Sequence, residues 1–157
     1  MVVESNHGKV REAVPSDLEA MRRIVDATLF PADLLDGMVR PFFEDPDCQA
    51  FWLVFDRDGV LGLVYAEPES MTEGTWNLRA IGTLPKSQRL GVGRALMAAT
   101  EERLRRAGQR LLIVDTSSSP EQIGACEFYR NLGYEQESRI RDFWTDGEDK
   151  ITFTKKL

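Results

Sequence analysis

Cysteine is scarce in this chain: two residues among 157, Cys48 and Cys126, stand 78 positions apart. That spacing suits neither a disulfide framework nor a zinc site. Histidine is rarer still, with His7 the only one, so a histidine-dependent triad has no support and no metal is expected. No apolar run approaches the ~20 residues of a membrane span, and the longest, such as residues 51–55, suit single strands. Glu4, Asn6 and His7 make the N-terminus polar, so no secretory signal is expected. Repeats, low-complexity stretches and interdomain linkers are missing. The length is about that of one domain, and residues 1–157 are read as a single cytoplasmic domain with reduced thiols.

A basic balance is lacking too. The formal net charge is −6, which argues against a general binder of nucleic acid, because phosphate backbones select basic surfaces. The average conceals an asymmetry. Residues 86–110 hold seven cations (Lys86, Arg89, Arg94, Arg103, Arg105, Arg106, Arg110) against Glu101 and Glu102, a net +5 that leaves −11 for the remainder. An anionic ligand would be drawn to this stretch and repelled elsewhere. For residues 103–110 a solvated helix face is the plainer reading.

What is present is a regular alternation of strand and helix signals. Residues 9–14 read as a strand, and Pro15-Ser16-Asp17 opens a capped helix over 17–29 with apolar Leu18, Met21, Ile24 and Val25. A short second helix is expected over 32–43, bounded by Pro41 and Pro46. Residues 51–56 and 60–67 form a hairpin around Asp56-Arg57-Asp58-Gly59. A polar loop over 67–74 leads to a strand over 76–84, halted by Pro85. A long helix over 91–107 is closed by Gly108. The apolar run 111–116 suggests a strand covered on both sides. A helix over 121–132 follows, then strands near 135–140 and 150–155 separated by a turn at 145–149. The order is that of a mixed α/β domain.

The strongest chemical signal lies between a strand and a helix, in Leu84-Pro85-Lys86-Ser87-Gln88-Arg89-Leu90-Gly91-Val92-Gly93-Arg94. Glycines two apart at a helix start allow a tight turn and a close approach of backbone to ligand. The first-turn N–H groups have no acceptors within the helix and sit at the positive end of its dipole, which makes an anion site. Lys86, Arg89 and Arg94 add charge, so a phosphate or diphosphate is the natural occupant. A turn with incidental glycines is the bland alternative. A P-loop is excluded because Arg94-Ala95 follows Gly93 where Lys-Ser/Thr is required, and a dinucleotide fingerprint because the loop falls mid-chain after a hairpin.

Gln88-Arg89-Leu90-Gly91-Val92-Gly93 resembles the Gln/Arg-x-x-Gly-x-Gly/Ala loop of the Gcn5-related N-acetyltransferase (GNAT) superfamily, with a strand before and a helix after as in that family. Phe128-Tyr129-Arg130-Asn131-Leu132-Gly133-Tyr134 is similar to its Phe-Tyr-x-x-x-Gly-Phe segment, with Tyr134 in place of the usual Phe. Arg11-Glu12-Ala13 with Ser16-Asp17 resembles its opening strand and helix cap. The likeness runs in the right order over nearly the whole chain.

The resemblance implies a mixed, mostly antiparallel central sheet with a parallel, splayed strand pair in its middle and helices on both faces. It implies acetyl-coenzyme A as cosubstrate. Pantetheine would pair with backbone of Ile81, Gly82 and Thr83, and the diphosphate would rest on Arg89, Leu90, Gly91, Val92, Gly93 and Arg94. A backbone N–H near Ala80 or Ile81 would face the thioester carbonyl, an oxyanion-type contribution of a few kcal/mol. The resemblance also implies direct transfer within a ternary complex, so neither cysteine is assigned as a nucleophile. Tyr129 matches the family's donor to the departing thiolate, though an amphipathic core tyrosine is the structural alternative. Glu67 and Glu73 are preferred as the base for the incoming amine over Glu69 and Asp115, with a water relay open. An asparagine usual in the family is missing after the later strand, where Ser118 is expected to substitute as a cofactor contact. Residues 139–144 are read as an acceptor-pocket wall or, equally, an edge strand with a cross-strand charge pair. Met71, Trp76, Phe42 and Phe43 are candidates for the same pocket. The expected partner is a small-molecule amine, with a protein or peptide amine and a non-catalytic acyl-coenzyme A sensor as the alternatives. No nucleic-acid or membrane partner is expected, and a homodimer is expected at family level only.

Overall fold

The structure, a computed structural model, describes residues 8–157; His7 and the polar residues before it lie outside the described residues. Eleven main elements follow one another: β1 (Lys9–Glu12), α1 (Leu18–Thr28), α2 (Leu35–Glu44), β2 (Phe51–Asp56), β3 (Val60–Pro68), β4 (Thr75–Thr83), α3 (Val92–Arg106), β5 (Leu111–Ser117), α4 (Ile123–Asn131), β6 (Glu135–Thr145) and β7 (Glu148–Lys156). The strand order is β1-β2-β3-β4-β5-β7-β6. Of the recorded pairings only β4 with β5 is parallel, from Thr75↔Leu111 to Leu78↔Val114. By contacts the chain falls into two compact units: residues up to 67 with 80–103, and residues 68–79 with 104–157.

In the first unit β1, β2 and β3 pair antiparallel, with Val10 opposite Phe55 and Trp52 opposite Tyr65. Successive strand residues point to opposite faces, and the pattern decides what covers each. Trp52, Val54 and Leu63 join Met21, Ile24 and Val25 of α1 and Leu35 and Val39 of α2 in one core. Gly62, the neighbour of Leu63, faces the other way, toward Val92 and Leu96 of α3. Helices therefore cover both faces of this unit's strands. The entry to α1 is tied down by Asp17, which accepts from Arg11 (2.8 Å) and from the Val14 N–H (2.8 Å). The Arg11 guanidinium also reaches Asp56 on β2.

In the second unit β5 pairs antiparallel with β7, and β7 with β6. Tyr129 of α4 packs on Phe153 of β7 (ring centroids 5.7 Å apart) and on Tyr134 (5.8 Å). Trp76 is buried and its indole N–H donates to Gln109 at 3.0 Å, holding the start of β4 to the segment before β5.

Three local expectations are corrected. Pro41 lies inside α2 rather than bounding it. The apolar positions Leu35 and Val39 bury one face of a helix that continues to Glu44, and this packing outweighs the hydrogen bond that proline cannot donate. β5 is not buried on both faces: Leu112 and Val114 are fully buried, while Leu111 and Ile113 are half-buried. β6 and β7 run further than their sequence signals, because Asp146-Gly147 makes a two-residue turn between Thr145 and Glu148.

Candidate active site

The loop after β4 is built by local rules. The Leu84 N–H donates to Leu61 on β3 (2.9 Å), and the Ser87 N–H closes a short turn on Leu84 (2.8 Å). Arg89 and Gly91 then take left-handed backbone angles (φ +69° and +81°), which swing the chain into α3. A Cβ at Gly91 would meet nothing within 4 Å, so the glycine is needed for its backbone angle and not for room. Ala95 N–H to Gly91 carbonyl (3.0 Å) is the first rung of the α3 ladder. The N–H groups of Val92, Gly93 and Arg94 precede that rung and lie at the positive end of a 15-residue helix.

Charge around the loop is uncommitted. Among the described residues, Lys86, Arg89 and Arg94 make no ion pair, and all three are exposed. Arg103, further along α3, is by contrast paired with Glu12 at 2.7 Å and lies over the Phe51 ring at 4.3 Å. Unpaired cations beside pre-ladder amides fit a doubly charged diphosphate. Residues 81–83 of β4 lead directly into this loop, with Gly82 buried and Ile81 and Thr83 half-buried.

Glu67 closes β3 in the same unit. Its carboxylate accepts from the Tyr65 hydroxyl at 2.8 Å, and Tyr65 stacks on Trp52 with ring centroids 4.3 Å apart and planes 8° from parallel. Residues two apart on a strand share a face, so the Tyr65–Glu67 pair was open to sequence reading but went unnoticed.

In the second unit Tyr129 is 5% exposed, and burial, with Cys126 as the lesser cause, pushes its hydroxyl well above the ordinary tyrosine value. Ser118 uses its hydroxyl oxygen to accept from the Asp149 N–H (2.7 Å), and its own N–H donates to the Asp149 carbonyl (3.0 Å). It latches the loop after β5 to β7 and leaves the Ser118 O–H available as a donor. Glu73 is exposed in the loop before β4, where its carbonyl accepts from Arg110 at 2.6 Å. Glu69 accepts from Asn77 (2.7 Å), and Asp115 accepts from Thr152 (2.7 Å) with Lys150 at 3.6 Å.

Residues 139–144 lie on the edge strand β6, with Arg139 paired to Asp149. The two Asp149 oxygens take Arg139 and the Asp142 N–H, which hold its carboxyl below the usual carboxylate range. Phe143 and Trp144 are exposed, with Lys150 over the Phe143 ring at 4.4 Å. A cavity of about 210 Å³, unforeseen from sequence, opens between α4 and this hairpin beside Cys126, Arg130 and Arg139. Among the described residues, no cluster of three or more His, Cys, Asp and Glu side chains could hold a metal ion, and no helix is long and apolar enough to cross a membrane.

The sequence profile of the acetyltransferase (GNAT) family matches residues 18–134. This chain belongs to the GNAT acetyltransferase family. A GNAT-family protein from Desulfovibrio desulfuricans is 29% identical and superposes with a TM-score of 0.87, over 95% of this chain and 98% of its own. The ribosomal-protein-alanine N-acetyltransferase of Brucella melitensis (21% identity, TM-score 0.77, 94% and 99% covered) shares the fold. So does the phosphinothricin acetyltransferase of Sinorhizobium meliloti, solved with acetyl-coenzyme A (18%, 0.75, 96% and 89%). No curated protein matches. The mixed sheet with its parallel β4–β5 pair is the GNAT fold, and the protein is an acyltransferase of the acetyl-transferring kind.

Proposed function

We propose that residues 1–157 form one N-acetyltransferase domain that moves the acetyl group of acetyl-coenzyme A to the primary amine of a small molecule. One observation carries the reading: among the described residues Lys86, Arg89 and Arg94 make no ion pair, and they stand beside the three amides that precede the α3 ladder. The diphosphate rests on residues 89–94, and pantetheine runs along the backbone of Ile81, Gly82 and Thr83. Ser118, whose oxygen accepts from the Asp149 N–H, has its own O–H left to donate and is kept as a further cofactor contact.

The reaction forms a C–N bond and breaks a C–S bond. The amine nitrogen attacks the thioester carbonyl, and a backbone N–H of Ala80 or Ile81 faces the oxygen on which charge develops, a contribution of ~3 kcal/mol. Glu67, oriented by Tyr65, takes the amine proton through water. Glu67 is preferred to Glu73, which lies in the exposed loop at the start of β4 whereas Ile81 lies near the strand's end. The leaving sulfur needs a donor. A tyrosine already holds its proton at neutral pH and burial holds it more firmly at Tyr129, so this hydroxyl serves best as a hydrogen-bond donor to the thiolate. The thiolate, whose conjugate thiol has a pKa near ~8.5, is a weaker base than tyrosinate, so the proton that finally neutralises the sulfur comes from solvent.

A protein amine is the second reading, favoured by the −11 charge outside residues 86–110, which would attract a basic acceptor. The Brucella protein named above acts on ribosomal protein alanine by its name, and the Sinorhizobium protein on the small molecule phosphinothricin.

Acetyl-coenzyme A at about 100 times its dissociation constant should add ~2.7 kcal/mol and raise Tm by roughly 5–10 °C. Gly91→Val, strained at φ +81°, should abolish that rise. A wild-type chain with no rise would refute the assignment. Thiol release across a panel of small amines and basic peptides then separates the two acceptor classes.

A further inference from the structure

We propose that Gly62, on β3 and outside the loop, is a positioning residue for the diphosphate cradle: its missing side chain lets the first turn of α3 seat directly on the strand. The proposal rests on the loop being the coenzyme A site.

A glycine inside a strand forfeits roughly 0.5–1 kcal/mol of backbone entropy and a packing side chain. Gly62 has an ordinary strand angle, so no turn requires it. Space requires it. A Cβ there would lie 2.6 Å from Val92 Cγ1, 3.1 Å from the Gly82 carbonyl oxygen and 3.2 Å from Leu96 Cδ1. All three belong to the cofactor half: Val92 and Leu96 to the first turns of α3, Gly82 to the strand proposed to hold pantetheine. Val92 is 1% exposed and Leu96 fully buried. Val92 is also β-branched, with little freedom at χ1, so its methyl cannot swing aside.

Ordinary carbon–carbon contact lies near ~3.5–4.0 Å. An added methyl must therefore push the helix start back by about 1 Å, because a close-packed interior has no slack to absorb it. The amides of Val92, Gly93 and Arg94 move with that turn. A misplacement of ~1 Å can cost as much as 100-fold in a site that works by positioning. The contact acts on cofactor placement through the α3 backbone, and Gly62 itself touches no reacting group.

The test is calorimetric titration of coenzyme A into wild type, Gly62→Ala, Val92→Ala and the double variant, with urea unfolding of each without ligand. Gly62→Ala should weaken coenzyme A at least tenfold among folded molecules. In the Val92→Ala background, where the tightest of the three contacts is gone, the same change should weaken it at least threefold less. Kinetically, Gly62→Ala should raise KM for acetyl-coenzyme A more than it lowers kcat. If Gly62→Ala binds coenzyme A like wild type while only its urea midpoint falls, the glycine is a packing residue and the proposal is overturned. If Gly62→Ala fails to fold, the double variant is compared with Val92→Ala: a two- to threefold deficit, from the contacts that remain with Gly82 and Leu96, supports the proposal, and equal affinity overturns it. A wild-type chain that binds no coenzyme A overturns the functional reading itself, and this inference with it.

Discussion

The proposed reaction gives Tyr129 and Glu67 opposite proton duties, and the surroundings of each can be described separately. Tyr129 is shut among Phe128, Tyr134 and Phe153, where an ionised oxygen would be poorly solvated. Tyr129→Phe should cut kcat by about 10–100-fold while coenzyme A affinity, measured by titration, stays within about twofold. Unchanged turnover would remove Tyr129 from the chemistry. Glu67 instead carries a hydrogen bond from Tyr65 and closes a strand. Glu67→Gln should lower kcat at least tenfold near pH 7, with the deficit shrinking as pH rises, because the free amine then needs no base. A pH–rate profile parallel to that of wild type would assign Glu67 a structural role.

At the scale of elements, the junction of β1 with α1 hangs on one carboxylate. Asp17 is 7% exposed and accepts from Arg11 and Val14. Its pKa is held down first by the Arg11 hydrogen bond, against desolvation, with the Val14 N–H adding to the depression. A depressed folded pKa means stability that is present above the ordinary value of ~3.9 and lost as pH falls through the lower folded value. Asp17→Asn should cost about 1–3 kcal/mol near neutrality, read by urea unfolding, and that cost should shrink below about pH 4. A cost independent of pH would locate the effect in packing. The edge strand β6 shows a different economy. Every one of its residues is exposed, and irregular pairing between Gln136 and Ser138 and between Ile140 and Thr145, with its acids and arginines, blunts the open edge.

For the whole molecule, charge distribution matters more than net charge. A chain at −6 repels an anionic cosubstrate on average, whereas near the α3 start Lys86, Arg89 and Arg94 make no ion pair among the described residues. KM for acetyl-coenzyme A should therefore rise about 3–10-fold between ~0.05 and ~0.5 M salt, as screening shortens the Debye length. Replacing Lys86 or Arg94 with Ala should raise KM at low salt and flatten that dependence. A salt-independent KM would mean that backbone amides alone hold the diphosphate.

Local chemistry was legible. The order of elements and the left-handed turn that starts α3 after Gly91 follow from glycine spacing, capping and periodicity, each acting within a few residues, and the ordered motifs carried the family. What spans the chain was not. Pro41 stays helical because Leu35 and Val39 find a core contributed by α1 and β2; burial among rings that arrive from β7 and the turn before β6 raises the Tyr129 pKa; Ser118 accepts from the N–H of Asp149, 31 positions away. Gly62 reads in sequence as a blemish in a strand, and only the approach of Val92, 30 positions on, turns it into a seat for a helix. Backbone angles and caps are decided by neighbours along the chain, whereas burial and close approach depend on which distant residues fill the same space, and that is settled only by the packed fold.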